Sequence, residues 1–182
     1  MKRSITSAVF VVILIGGTIW HPISFFVLFS LIVILGITEF NKVIANPSHE
    51  PQNLTGIILG IAIFSSCFLN AMSIFGGEIF LINIFAVTLI LILELYRKKE
   101  DPIVNIALTV FGTLYIAVPF GLLSYFVFLK NFGGEYFPDI LISYFAIIWI
   151  NDTGAYMIGS KLGKHRLFER ISPKKSWEGF AG

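Results

Sequence analysis

Residues 54–72 and 103–129 contain no charged side chain at all, and each run is long enough for a helix to cross a bilayer. A spanning helix needs about 20 apolar residues to cross a hydrocarbon core of roughly 30 Å. Four further stretches, 5–20, 22–40, 74–95 and 138–159, have the same character, although the first is short. Of the 182 residues 56% are hydrophobic and 13% charged, against about 25% charged in a soluble domain. Too little polar surface is available to cover a globule in water, so lipid must be the solvent. Inside lipid every backbone polar group has to be paired, which favours helices here, because the apolar runs are unbroken rather than alternating. The expectation is an all-α polytopic bundle of about six transmembrane helices forming a single integral membrane domain over 1–182. The first two spans are separated only by His21 and should form a tight hairpin.

Lys and Arg are retained on the cytoplasmic side. With the N-terminus inside, 12 of the 13 Lys and Arg fall in cytoplasmic segments and only Lys130 lies outside. Both termini are therefore expected in the cytoplasm, with 160–182 forming a cytoplasmic basic segment. Residues 1–20 resemble a secretory signal, but without a small-x-small cleavage site they read as an uncleaved anchor. Cys67 is the single cysteine and has no internal partner for a disulfide.

Most polar residues in the spans invite a bland reading. Glu39 and Glu94 sit at helix ends where a carboxylate can reach interfacial water. Asn70, Glu78, Asn83, Glu135 and Asp139 lie near the other face and should be solvated. Pro119 should kink the fifth helix, as prolines in membrane helices do.

Asp152 is the exception. It precedes Lys161 by nine residues, which places it about 14 Å into the membrane along a continuous helix. An ionised Asp at that depth costs several kcal/mol unless it faces a cavity or a partner. Ala155, Tyr156, Gly159 and Gly163 share its face by helical spacing, leaving either room for a ligand or a surface for close helix packing. The following segment holds Lys161, Lys164, His165, Arg166, Arg170, Lys174 and Lys175 against a single acid, Glu169. Ser172-Pro173 favours a turn. Lys174, Lys175 and Ser176 can offer cations and a hydroxyl to phosphate oxygens, and Glu178 adds a carboxylate. A buried Asp beside such cations suits a metal-bound polyphosphate. Gly154 to Lys161 approaches a P-loop, but Ser160 and Lys161 are in reversed order and no β-strand precedes them.

The stretch NDTGAYMIGSKLGKHRLFERISPKKSWEG, Asn151 to Gly179, closely resembles the central motif region of bacterial phosphatidate cytidylyltransferases. The resemblance implies a reaction in which CTP and phosphatidic acid give CDP-diacylglycerol and pyrophosphate with Mg²⁺, in the bacterial inner membrane. It implies that Asp152 helps hold the metal, while Asn151, Lys161, Ser172, Lys174, Lys175 and Ser176 contact substrate. Glu178 either orients a lysine or adds to the metal site. The implied partners are the two substrates and the bilayer, with a homodimer left open and no nucleic acid. Family members continue to a second, acidic signature that supplies further metal ligands. That signature does not occur in these 182 residues, so the chain is expected to be truncated and inactive by itself. Two other classes compete: a small transporter, for which a second broken helix should occur, and a non-catalytic membrane anchor that binds lipid through its basic patch.

Overall fold

The computed structural model describes the chain except residues 1, 47, 130–134, 169 and 171, together with the side chains of 2–8, 168, 173 and 174. Its packing separates two units, 1–139 and 140–182.

The first unit is a helical bundle. Helix α1 (Lys2–Trp20) is followed after one residue by α2 (Pro22–Ile44). The turn between them is a capping box: His21 Nδ1 accepts from Ile23 N at 3.1 Å and Ser24 Oγ accepts from His21 N at 3.0 Å. Pro22 at the first helical position has no N–H left to satisfy. The expected hairpin therefore forms at His21. Helix α3 (Asn53–Ala71) packs against α2, α4 (Ile82–Arg97) and α5 (Pro102–Leu122). Its glycines make the close approach possible: a Cβ on Gly56 would stand 3.0 Å from Thr113 Oγ1. Val33, Ile37, Leu59, Ile63, Ala86, Ile90 and Ala117 form the shared core. An aromatic cluster extends it, with Phe25 and Phe29 centroids 4.6 Å apart and Phe64 and Phe68 beside them.

Among the described residues five helical segments are long and apolar enough to cross a membrane, and Val9–Trp20 is a shorter apolar helix. Many apolar side chains face outward, and several polar ones join the apolar core inside. Val12, Leu35, Phe85 and Tyr115 are exposed, whereas Thr18, Asn105, Thr109 and Glu94 are buried. Lipid is as apolar as leucine, so helices gain by packing and by pairing their polar groups inward. The chain is a multi-pass membrane protein of helical class.

Two spans are less regular than expected. The fourth begins as a 3-10 turn, Gly77–Leu81, before α4, and the fifth ends at Leu122, followed by a single turn, α6 (Ser124–Val127). Pro119 lies inside α5, which continues past it for three residues. Strand β1 (Phe128–Leu129) then pairs antiparallel with β2 (Glu135–Tyr136), and the Tyr136 hydroxyl donates to the Thr18 carbonyl.

Glu94 is not at interfacial water. It is 2% exposed. Its Oε2 accepts from Gln52 Nε2 at 2.6 Å and Arg97 Nη1 at 2.8 Å, and its Oε1 accepts from Asn105 Nδ2 at 2.9 Å. Gln52 N in turn donates to Thr109 Oγ1 at 2.8 Å, and Arg97 Nη1 to the Glu50 carbonyl at 2.9 Å. The network ties the α2–α3 loop to α4 and α5, which is why the carboxylate turns inward. Asn70 is likewise buried rather than solvated, accepting from the Tyr125 hydroxyl at 2.9 Å and donating to the Phe75 carbonyl at 3.0 Å.

The second unit begins with α7 (Asp139–Leu162), whose first residue belongs to the first unit, and continues through β3 (Arg166–Phe168), β4 (Ser172–Ser176) and α8 (Trp177–Ala181). The basic segment is thus a β-hairpin. Its register pairs Arg166 with Ser176 and Phe168 with Ser172. Ser172 pairs with Phe168, so Ser172 and Pro173 open a strand instead of forming a turn. A residue before proline prefers extended backbone, and a strand of a two-stranded ribbon tolerates the missing N–H.

Candidate functional site

The polar motif of the second unit is built on the end of α7. Asn151 and Asp152 are exposed on this helix. Trp149, Ile150, Thr153, Gly154 and Met157 line an open groove of about 390 Å³ beside them. Thr153 Oγ1 donates back to the Trp149 carbonyl at 2.7 Å. Such back-bonding satisfies a hydroxyl in an apolar helix without another partner. Lys161 is exposed in the last turn, where the helix dipole favours a cation.

The glycines expected near Asp152 are used for packing. A Cβ on Gly159 would lie 3.3 Å from both Gly179 Cα and Ser176 Oγ, and one on Gly179 would lie 2.8 Å from the Ala155 carbonyl oxygen. Helices α7 and α8 therefore touch backbone to backbone. The helix ends with Gly163 N donating to Gly159 O at 3.1 Å.

Ser176 is only 4% exposed. It is the N-cap of α8, its Oγ accepting from Gly179 N at 3.2 Å. The hydroxyl expected to meet phosphate thus caps this helix as an acceptor, which leaves its own O–H as a donor. Ser172 is half-buried and Lys175 is exposed on β4. The side chain of Lys174 lies outside the described residues. No hydrogen bond or ion pair among the described residues joins Asp152 to Lys161 or Lys175.

Glu178 is instead brought together with two residues that the sequence marked only as part of a basic run. Its carboxylate accepts from Lys164 N at 3.1 Å and His165 N at 3.2 Å, and lies 2.6 Å from His165 Nδ1. The His165 ring and then the backbone N–H groups hold this carboxyl well below the ordinary glutamate range, at about 2. Trp177 N also donates to the His165 carbonyl at 3.0 Å, extending the ladder past the Arg166 pair. Only the hairpin register makes residues 165 and 178 neighbours, so spacing along the chain gave no signal of it.

Of the carboxylates whose side chains are described in the second unit, Asp152 is exposed and Glu178 is surrounded by N–H donors. Donor groups of that kind compete with a cation for carboxylate lone pairs, whereas no hydrogen bond or ion pair to the Asp152 carboxylate occurs among the described residues. Among the described residues no three His, Cys, Asp or Glu side chains converge.

Comparison with known proteins agrees with the motif. The chain is 28% identical over 172 residues to the phosphatidate cytidylyltransferase of Staphylococcus haemolyticus, covering 94% of this chain and 60% of that protein. It is 34% identical over 101 residues to the phosphatidate cytidylyltransferase of Bacillus subtilis, covering 56% of this chain and 36% of that protein. A Staphylococcus aureus phosphatidate cytidylyltransferase is 33% identical over 85 residues, or 47% of this chain and 30% of that protein. The matched regions thus span between 30% and 60% of these relatives' lengths. No solved structure matches the chain. The sequence profile of the cytidylyltransferase family matches residues 1–182, from one end of the bundle through the hairpin, and the chain belongs to that family.

Proposed function

We propose that this chain forms the membrane scaffold and one side of the phosphate-handling site of a phosphatidate cytidylyltransferase in a bacterial cytoplasmic membrane. In this reading an oxygen of the phosphatidic acid phosphate attacks the α-phosphorus of CTP. The bond from that phosphorus to the oxygen bridging to the β-phosphate breaks. Pyrophosphate leaves with the bonding pair, and CDP-diacylglycerol forms. The observation that carries the reading is the family match over the whole chain, which includes the motif from Asn151 to Gly179.

Both substrates are polyanions, so bringing them together requires neutralised charge and an in-line approach. Exposed Lys161 and Lys175 are suited to phosphate oxygens, as compact point charges on flexible stems. Lys174 is assigned the same role from the motif, with Asn151 and Ser172 as neutral hydrogen-bonding groups. Asp152 would hold Mg²⁺, directly or through water; when bound, the ion offsets charge on the phosphate oxygens. Ser176 contributes by setting the start of α8. The positive-inside pattern puts the hairpin and both chain ends on the cytoplasmic side, where CTP is available. An intramembrane helix meeting a cytoplasmic basic hairpin suits one lipid-borne and one water-borne substrate.

The test uses membranes containing the full-length protein, labelled CTP and phosphatidic acid. Asp152→Asn keeps the shape and removes the charge, and it should lower CDP-diacylglycerol formation by about 10²–10³-fold, the usual effect of losing one transition-state electrostatic group. Unchanged turnover and unchanged Mg²⁺ requirement would remove Asp152 from the site. CTP-independent solute flux, or general binding to anionic lipid without nucleotide turnover, would replace the enzyme reading with a transporter or an anchor.

A further inference from the structure

The neck of the β3–β4 hairpin is closed by a single side chain. Glu178 projects from the first turn of α8 and accepts hydrogen bonds from two consecutive backbone amides, Lys164 and His165. His165 Nδ1 approaches the same carboxylate at 2.6 Å. The salt-bridge partners are unequally covered, with side chains 78% exposed for His165 and 27% for Glu178. The ring is thus the more solvent-exposed member of the pair. With Trp177 N bonded to the His165 carbonyl, residues 164–165 and 177–178 form one unit beyond the Arg166–Ser176 pair.

This unit adjoins the end of β4. Side chains alternate across a strand, and Ser176 is buried while Lys175 is exposed. A hydroxyl held under α8 therefore holds the neighbouring lysine outward. A lysine head can be aimed only as well as its backbone is fixed, because its own stem is flexible.

We propose that the His165–Glu178 pair is a positioning clamp that fixes β4, and with it Lys175, for binding the nucleotide triphosphate, without either residue touching substrate or metal. The substrate half of this inference rests on the cytidylyl-transfer reading, and the clamp half rests on the hairpin geometry alone.

In the full-length protein, His165→Ala and Glu178→Ala should each lower kcat/KM for CTP by between about 10- and 100-fold, the range for a mispositioned group. The loss should fall mainly on KM. The double variant should be no worse than Glu178→Ala, because coupled residues are not additive. His165→Asn places an amide N–H near the position of Nδ1 and should restore most of the activity lost in His165→Ala. The Mg²⁺ concentration for half-maximal rate should not move in any of them. A fully active His165→Ala beside an inactive Glu178→Ala, or a shifted Mg²⁺ requirement in Glu178→Ala, would overturn the clamp and give Glu178 a direct role. Should Glu178→Ala not accumulate, His165→Ala and its rescue by His165→Asn decide the matter. Hydrogen exchange separates the two layers: the Lys164 and His165 amides should exchange faster in Glu178→Ala whether or not CTP is turned over. Unchanged exchange overturns the clamp. Failure of the unaltered protein to make CDP-diacylglycerol counts against the proposed function alone.

Discussion

The two units treat polar groups in opposite ways. In residues 1–139 the carboxylate of Glu94 is sealed between two helices and a loop, with Gln52, Arg97 and Asn105 around it. In residues 140–182 Asp152, Lys161 and Lys175 stand at the surface, and the bonded carboxylate, Glu178, holds backbone together. A polar group inside a membrane bundle is thus a fastener where its hydrogen bonds are complete. It is a candidate for chemistry where they are not. Glu94 and Asp152 are both carboxylates on apolar helices, and the donors around them set them apart.

That contrast can be broken at several points. The largest expected change is the loss of turnover in Asp152→Asn, with the stability of the protein in detergent left close to the original. Glu94→Ala should do the reverse: removing one member of a buried ion pair costs about 3–5 kcal/mol. Arg97 is partly exposed and can turn to water, so the lower end, about 3 kcal/mol, is expected from thermal unfolding in detergent. A Glu94→Ala protein as stable as the original would show that the network is no fastener. Next, Gly179→Val should disturb the α7–α8 contact by about 2 kcal/mol, as overpacking does. The check is accelerated proteolysis of the hairpin, with the first bundle intact. The smallest is Ser176→Ala, which removes the α8 cap and should cost about 1 kcal/mol. If it instead abolished CTP binding while hairpin protection stayed whole, Ser176 would move from the fastener class to the chemical one.

Much of this was legible before any coordinates. The spans, the turn at His21 and the basic character of residues 160–182 follow from apolar run length and charge placement, which act locally and along the chain. Where the reading erred, it erred on pairing. Glu94 looked interfacial because its neighbours in sequence are a helix end and a basic turn; Gln52, which turns it inward, is 42 residues away. Ser172-Pro173 looked like a turn because the dipeptide favours one locally, and the pairing with Phe168 overrode that preference. Gly159 and Gly163 left two readings open, room beside an acid or close helix packing, and the backbone of α8 and the hydroxyl of Ser176 decide for packing.

By itself, the amino-acid order determined the solvent of this protein, its helical class, the placement of its cations and the family motif, because each of these is a property of a segment or of a short spacing. Tertiary structure decided which polar residues are locked in and which remain available. That choice depends on partners far apart in sequence, and a carboxylate's role is set by the donors that reach it.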